Sequence, residues 1–296
     1  MNKVAVLLAV YNGRNWIDEQ LESILAQTEV NVDVFISIDL SSDGSWEYLT
    51  EKYTHFKNVH FLPYGDKYGS AGKNFYRLVM DVNFDGYDYI SFADQDDIWY
   101  ADKLQRAIET IASKHVDAYS SNVLAFWEDG RTCLIDKAQP QAAFDYYFEA
   151  AGPGCTYVFT NKLGTAFREF LLSNELAQDV SLHDWLIYAY ARSHNYTWYI
   201  DSVPGMKYRQ HSSNQVGANI SFKMWVKRVK LVNSGWYRTE VYKLKSLFVT
   251  NFSPIKRITN ARNYSNNIML MPFVSKLRRR GRDKIILSML LLLNFF

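Results

Sequence analysis

Tyr89-Ile90-Ser91-Phe92-Ala93-Asp94-Gln95-Asp96-Asp97-Ile98-Trp99 is the stretch on which the fold turns. An apolar run that alternates weakly and is rich in aromatic and branched residues reads as a buried strand. It stops abruptly in three carboxylates within four residues. Parallel α/β sheets gather ligands at the carboxyl ends of their strands, so this cluster falls where a site is expected. Three anions so close repel one another unless a cation neutralises them. Hard oxygen donors in a short loop suit Mg²⁺ or Mn²⁺, ions that typically also hold substrate phosphates. The competing assignment is a solvated acidic turn that caps the next helix. Asp102 is placed for that role, just before Lys103-Leu104-Gln105-Arg106-Ala107-Ile108.

Toward the N-terminus, residues 4–10 form an apolar run preceded by one positive charge. No small-residue cleavage pattern follows, so the run reads as a first strand and not as a signal peptide. Asn15, Asp18 and Glu19 are placed to cap and charge a helix whose apolar face is Trp16, Ile17, Leu21, Ile24 and Leu25. A second strand over 32–38 ends in Asp39-Leu40-Ser41-Ser42-Asp43-Gly44-Ser45, with a helix from about Trp46. A third over 59–62 leads through the glycine-rich loop 63–72 into a helix entered at Lys73-Asn74-Phe75. Beyond the carboxylates come strands over 118–122, 156–159 and 198–200. Helices carry Leu163, Phe167, Phe170 and Leu171, then 181–191, and a polar loop spans 208–214. Strands alternating with helices argue a mostly parallel sheet of right-handed βαβ units.

In such a sheet Tyr11, Asp39 and Asp94–Asp97 face one crevice together with the loop at Gly69. The crevice suits a nucleotide: an aromatic ring stacks on the base, Asp39 accepts from a ring N–H, and Lys73 meets a phosphate near a helix N-terminus. The chain has neither G-x-G-x-x-G after its first strand nor G-x-x-x-x-G-K-[ST]. Dinucleotide oxidoreductases and P-loop kinases are thereby disfavoured.

Composition sets further bounds. With 296 residues, 48% of them hydrophobic, the chain can bury one large core or two smaller ones. Its 21 Tyr and 8 Trp favour a site that stacks on bases or sugar rings. Two cysteines, Cys133 and Cys155, imply no disulfide framework and a reducing compartment. A net charge of +2 conceals an asymmetry. Residues 1–220 hold 17 Lys and Arg against 29 acids, and residues 221–296 hold 16 against two. A boundary near 217–221 follows, with an α/β unit over 1–220 and a basic helical extension over 221–296.

Taken in order, these pieces resemble family-2 glycosyltransferases with the GT-A fold. The matching stretches are Ala9-Val10-Tyr11-Asn12-Gly13, Asp39-Leu40-Ser41-Ser42-Asp43-Gly44-Ser45, Ala93-Asp94-Gln95-Asp96-Asp97-Ile98-Trp99, His183-Asp184-Trp185 and Tyr208-Arg209-Gln210-His211. They cover residues 1 to about 217, and the Asp-Gln-Asp-Asp-Ile-Trp form looks most like the bacterial rhamnosyltransferase-like branch. One departure is that Asp39 is followed by Leu40, where the family usually carries two adjacent acids. The resemblance implies transfer of a sugar from a nucleotide diphosphate donor to an acceptor hydroxyl, with inversion. It implies a divalent cation held by Asp94, Asp96 and His211, and Asp184 as the base. Tyr11, Asp39, Lys73, Asp97, Trp99 and Arg209 fall on the donor side, Trp99 by packing on a pyranose face. The donor it favours is dTDP-rhamnose, with UDP-hexoses the alternative. The acceptor it implies is a glycan on polyprenyl diphosphate, in surface polysaccharide or O-antigen synthesis.

Two other classes compete. A nucleotidyltransferase also pairs carboxylates with metals, but has no obvious use for the late Asp184. A nucleic-acid-binding protein would want a basic stripe where residues 1–220 are acidic. The basic extension reads instead as a membrane-surface module that places the chain on the inner face of the cell membrane. Phe222, Trp225, Val226, Val229, Trp236, Tyr237, Val241, Leu244 and Phe248 alternate with cations at helical spacing, and residues 276–284 carry a net +5. The twelve residues 285–296 are too few to span a bilayer, which takes ~20. Packing on the catalytic unit, or a contact in a homo-oligomer, is the alternative for this segment.

Overall fold

A computed structural model describes residues 1–211 and 234–296. Its main sheet contains β1 (Asn2–Val10), β2 (Val30–Ile38), β3 (Val59–Phe61), β4 (Tyr89–Ala93), β6 (Ala118–Ser121), β9 (Val158–Thr160) and β10 (Trp198–Asp201). The spatial order is β10-β6-β9-β4-β1-β2-β3, and only β9 runs antiparallel to its neighbours. The mostly parallel sheet expected from the sequence is therefore present. Central β1 is buried from Val4 to Val10, as a strand covered on both faces must be. Its side chains alternate between the two cores: Ala5, Leu7 and Ala9 enter one, and Val4, Val6, Leu8 and Val10 the other.

A smaller sheet has the order β5 (Ile98–Trp99), β11 (Met206–Arg209), β7 (Val123–Phe126), β8 (Thr132–Ile135). Here the sequence reading is corrected, because Tyr208 and Arg209 belong to a strand and not to a polar loop. β11 pairs with β5 on one side and β7 on the other, which gives its backbone partners that four residues of local pattern do not reveal. The strand placed at 156–159 likewise starts later, after a single 3₁₀ turn over Gly154–Thr156. Asp102 stands at the start of the helix Lys103–Lys114, yet its side chain makes no capping bond. Only its carbonyl takes part, accepting from Arg106 N at 2.9 Å. Asn15 is no cap either, since Trp16 holds that position ahead of Ile17–Leu25.

The C-terminal helices Trp236–Leu247, Tyr264–Leu270 and Gly281–Leu292 share one core with the α/β unit. Val241, Leu244, Leu277, Leu287 and Leu291 lie in the same cluster as Phe75, Phe92 and Tyr147. The boundary at 217–221, and Phe222, Trp225, Val226 and Val229 of the proposed interfacial helix, lie outside the described residues. Val241, Leu244 and Phe248 of that stretch are buried in the core and do not face lipid. The basic run 276–284 also divides. Arg279 is 5% exposed, and its Nη1 donates to Asp145 Oδ2 at 3.1 Å. Asp145, itself fully buried, accepts from Arg192 Nη1 at 3.1 Å and Tyr188 Oη at 3.0 Å. Arg278 faces Glu149 and Asp283. Buried ions are tolerated when each is paired and hydrogen-bonded, so these arginines tether the tail to the domain.

The helix Ala71–Asp81 meets the segment before Asp184 at Gly72, where an added Cβ would sit 2.4 Å from the Ser181 carbonyl oxygen. Neither side of that contact is a flexible side chain. Gly72→Ala is expected to lower stability by ~1–3 kcal/mol, the usual cost of overpacking. Urea unfolding checks this, and an unchanged midpoint would show that the two segments part freely.

Candidate active site

The order of strands reverses between β1 and β4, which makes their carboxyl ends the switch point where ligands bind in open α/β sheets. Gln95 bridges the two loops there. Its Oε1 accepts from Tyr11 N at 2.7 Å, and its Nε2 donates to Tyr11 O at 3.0 Å, continuing the pairing of the strands by a side chain. A Cβ at Gly13 would lie 2.5 Å from the same Oε1, so the turn after β1 must pass close. Tyr11 is left 55% exposed at the mouth of the crevice.

Asp39, at the end of β2, is buried and heavily occupied. Its Oδ1 accepts from Leu40 N and Tyr68 N at 2.8 and 2.7 Å, and its Oδ2 from Gly69 N at 2.8 Å. The carboxylate thus closes the glycine-rich loop over the strand end, and a further donor finds room only on Oδ2. Lys73 is exposed in the first turn of the next helix, whose start is capped by Ser70.

The acidic loop joins the two sheets. Asp96 Oδ2 contacts His211 Nε2 at 2.6 Å, and the imidazole is stacked on Trp16 with centroids 4.1 Å apart. Arg209 is bound into the loop through its N–H to Asp97 Oδ1 at 3.1 Å and its Nε to the Asp96 carbonyl at 2.8 Å. Its guanidinium also meets Glu19 and lies over Phe126. Asp97 is fully buried, with its carboxyl group, the Asp94 carboxyl and the Cys155 thiol all within 4.8 Å. Burial raises the Asp97 pKa, as do the Asp96 and Asp94 charges. Burial likewise raises Asp94, helped by Asp96 and Asp184. The Cys155 thiol is held protonated by the same burial, which leaves it unsuited to a hard cation.

Trp99 does not present a face to a sugar. It is 3% exposed, and Lys103 Nζ stands 3.3 Å from its ring centroid. The expected stacking role is corrected to that of a core residue covering a buried ammonium. Lys103, 2% exposed, is pushed down to about 7 by burial, against the pull of Cys155 and Asp97. Sequence reasoning gave it no role. The signal was its place in the row Lys103, Ala107, Ile111, where helical spacing puts a lysine on the buried face.

Asp184 opens the helix His183–Ser193 and reaches the crevice from the far side of the chain. Burial pushes its carboxyl up to about 6, moderated by a 2.7 Å bond from Trp185 N and by the Lys137 charge. His183 beside it is stacked on Phe75 at 3.8 Å and held neutral by burial, at about 3. Gly154 fits between them, because a Cβ there would stand 2.8 Å from His183 Nε2 and 3.0 Å from Asp184 Cβ. Asp94, Asp96, Asp97 and Asp184 therefore converge, as do Arg209 and His211, while Tyr11, Asp39 and Lys73 line the β1–β2 side.

Residues 5–163 match the profile of the family described as glycosyl transferase family 2. The chain belongs to that family. It is 47% identical over 291 residues to the dTDP-rhamnosyl transferase RfbG of Shigella flexneri, covering 98% of this chain and all of that one. S. aureus TarS 1-349 in complex with UDP-GlcNAc shares its fold at a TM-score of 0.55 and 17% identity, over 99% of this chain and 91% of that one. The mannosyltransferase PcManGT from Pyrobaculum calidifontis, in complex with GDP-Man and Mn²⁺, does so at 0.52 and 14%, over 99% and 85%. This glycosyltransferase has the GT-A fold, and its family membership sets aside the nucleotidyltransferase and nucleic-acid-binding alternatives.

A carboxylate that titrates near 6 accepts protons well and is still ionised at neutral pH. With Asp184 as the base, turnover is expected to rise with pH through about 6, as the acid form is lost. Asp184→Asn should remove that limb and lower kcat by ~10²–10⁴-fold, with donor affinity nearly unchanged. Steady-state pH profiles beside calorimetric donor binding decide it, and normal turnover would leave Asp184 as a helix-start residue only.

Proposed function

We propose that this glycosyltransferase moves rhamnose from dTDP-rhamnose, with inversion, to a hydroxyl of a glycan carried on polyprenyl diphosphate in O-antigen synthesis. The observation that carries the donor is the 47% identity to a dTDP-rhamnosyl transferase over nearly the whole chain. The acceptor's lipid carrier would place the reaction at the inner face of the cell membrane. No helix among the described residues is long and apolar enough to cross a membrane.

In this reading the base of dTDP stacks on exposed Tyr11 and donates to the acceptor capacity left on Asp39, while Lys73 meets a phosphate. Asp94, Asp96 and His211 would hold Mg²⁺ or Mn²⁺. Carboxylate oxygens and an imidazole are donors of a kind that suits such a cation, whose charge would offset the burial and the Asp96 and Asp184 charges that raise Asp94. The cation would supply Lewis-acid stabilisation of the leaving diphosphate. Asp184 takes the proton of the acceptor hydroxyl as the bond to the anomeric carbon forms, and the neutral His183 beside it adds no competing charge. Arg209 holds the acidic loop in place through Asp96 and Asp97 and leaves the sugar to the groups around it.

A UDP-hexose donor is the second reading, favoured by the UDP-GlcNAc complex of the TarS fold relative. A panel of dTDP-rhamnose, UDP-glucose, UDP-galactose and UDP-GlcNAc, scored by nucleotide diphosphate release, separates the two. The dTDP-rhamnose signal is expected to be the highest by at least tenfold. It should fall to background in excess EDTA or in Asp96→Ala, and EDTA-treated enzyme should recover with Mn²⁺. Preference for a UDP-hexose would replace the donor, and full turnover in EDTA would remove the cation.

A further inference from the structure

Residues 234–296 contain twelve Lys and Arg and two acids. Both acids are buried. Glu240, 1% exposed, pairs with Lys243, and Asp283, 8% exposed, pairs with Arg278 and Arg282. This segment therefore turns no carboxylate side chain to solvent.

The helix Gly281–Leu292 carries a stripe that its own domain leaves uncovered. Ile285, Ile286, Met289, Leu292 and Leu293 are each 47–63% exposed, whereas Leu287 and Leu291 on the other side are buried. Spacings of i, i+1, i+4, i+7 and i+8 put the five on one face. Cations rim it. Arg282 is exposed at one end on the same face, and exposed Arg262 lies over the ring of Phe295 beyond the other end, 5.6 Å from its centroid.

We propose that this stripe and its basic rim dock on an anionic lipid surface. The inference rests on the membrane-borne acceptor proposed above, and replaces the whole tail as anchor by one face of its last helix. A twelve-residue helix is ~18 Å long, too short to span a bilayer but suited to lie in its interface. The bilayer answers both halves of the face at once: acyl chains receive the aliphatic stripe and headgroup phosphates the cations. A second copy does not. A two-fold contact across this stripe would set the Arg282 end of each copy against the other's Arg282 end or, antiparallel, against its Arg262 end, with no exposed acid in the segment to offset them.

Flotation of the full-length protein with vesicles of phosphatidylcholine, or of phosphatidylcholine and phosphatidylglycerol, reads the docking without any sugar transfer. Binding is expected only with phosphatidylglycerol and at low salt. It should fall at least tenfold in the exposed-face variant I285E/M289E/L293E, and about fivefold for each neutralised cation in Arg282→Gln and Arg262→Gln. Donor hydrolysis, followed as nucleotide diphosphate release in solution, should match the parent in all three variants. Unchanged flotation of the triple variant would overturn the proposal, as would equal binding to both vesicle types or none to either. A dimer that is lost in the triple variant would assign the stripe to a second copy and overturn the lipid. A protein that floats as expected but transfers no rhamnose leaves this docking standing and overturns the donor alone.

Discussion

Four carboxylates, Asp94, Asp96, Asp97 and Asp184, are drawn together at the strand ends, Asp96 and Asp97 buried and Asp94 and Asp184 half-buried. Their mutual repulsion is the constraint to which the surroundings conform. Burial and neighbouring anions raise Asp94 and Asp97, and Asp184 rises by burial. The ammonium of Lys103 lies beneath the loop, in a position apolar enough to weaken its own charge. Desolvated like charges are expensive to keep together, so the loop survives only because it is bound at several points. Gln95 ties it to β1, and the Arg209 backbone and guanidinium tie it to β11.

Those bonds explain why the second sheet exists where it does. β5 continues directly from the acidic loop, and β11 returns to pair with it from more than a hundred residues later in the chain. His211 follows β11 and so arrives against Asp96, where Trp16 holds its ring flat. A stacked aromatic keeps the imidazole from turning out of its plane. The site is thus the seam between a parallel sheet that supplies strand ends and a small sheet that closes over them.

How much of this is legible in the sequence depends on the range of the interactions. β1, β2 and β4 announce themselves through burial on both faces, and the acidic loop through its position at a strand end. Asp184 was found by its motif, and the chemistry of burial then explains its raised pKa. β11 escaped because four residues with mixed polarity form a strand only when a distant partner is present. Trp99 was misassigned for a related reason: nothing local says that a lysine four residues later will cover its ring. The basic tail shows the same limit. Its charge was plain, but which arginines turn inward depends on Asp145 and Glu149, more than a hundred residues upstream.

The buried group of Asp145, Arg192 and Arg279 has a consequence for how this enzyme can vary. Asp145 cannot lose Arg279 without leaving charge stranded in the core, and Arg279 cannot be replaced without regard to Glu149 and Tyr188. Hybrids between relatives that splice a foreign C-terminal third onto this catalytic half will therefore fail unless the segments around 145–149 and 278–283 are inherited together. The unit of exchange is a pair of distant segments held by one electrostatic lock, and a cut at the apparent boundary would divide it.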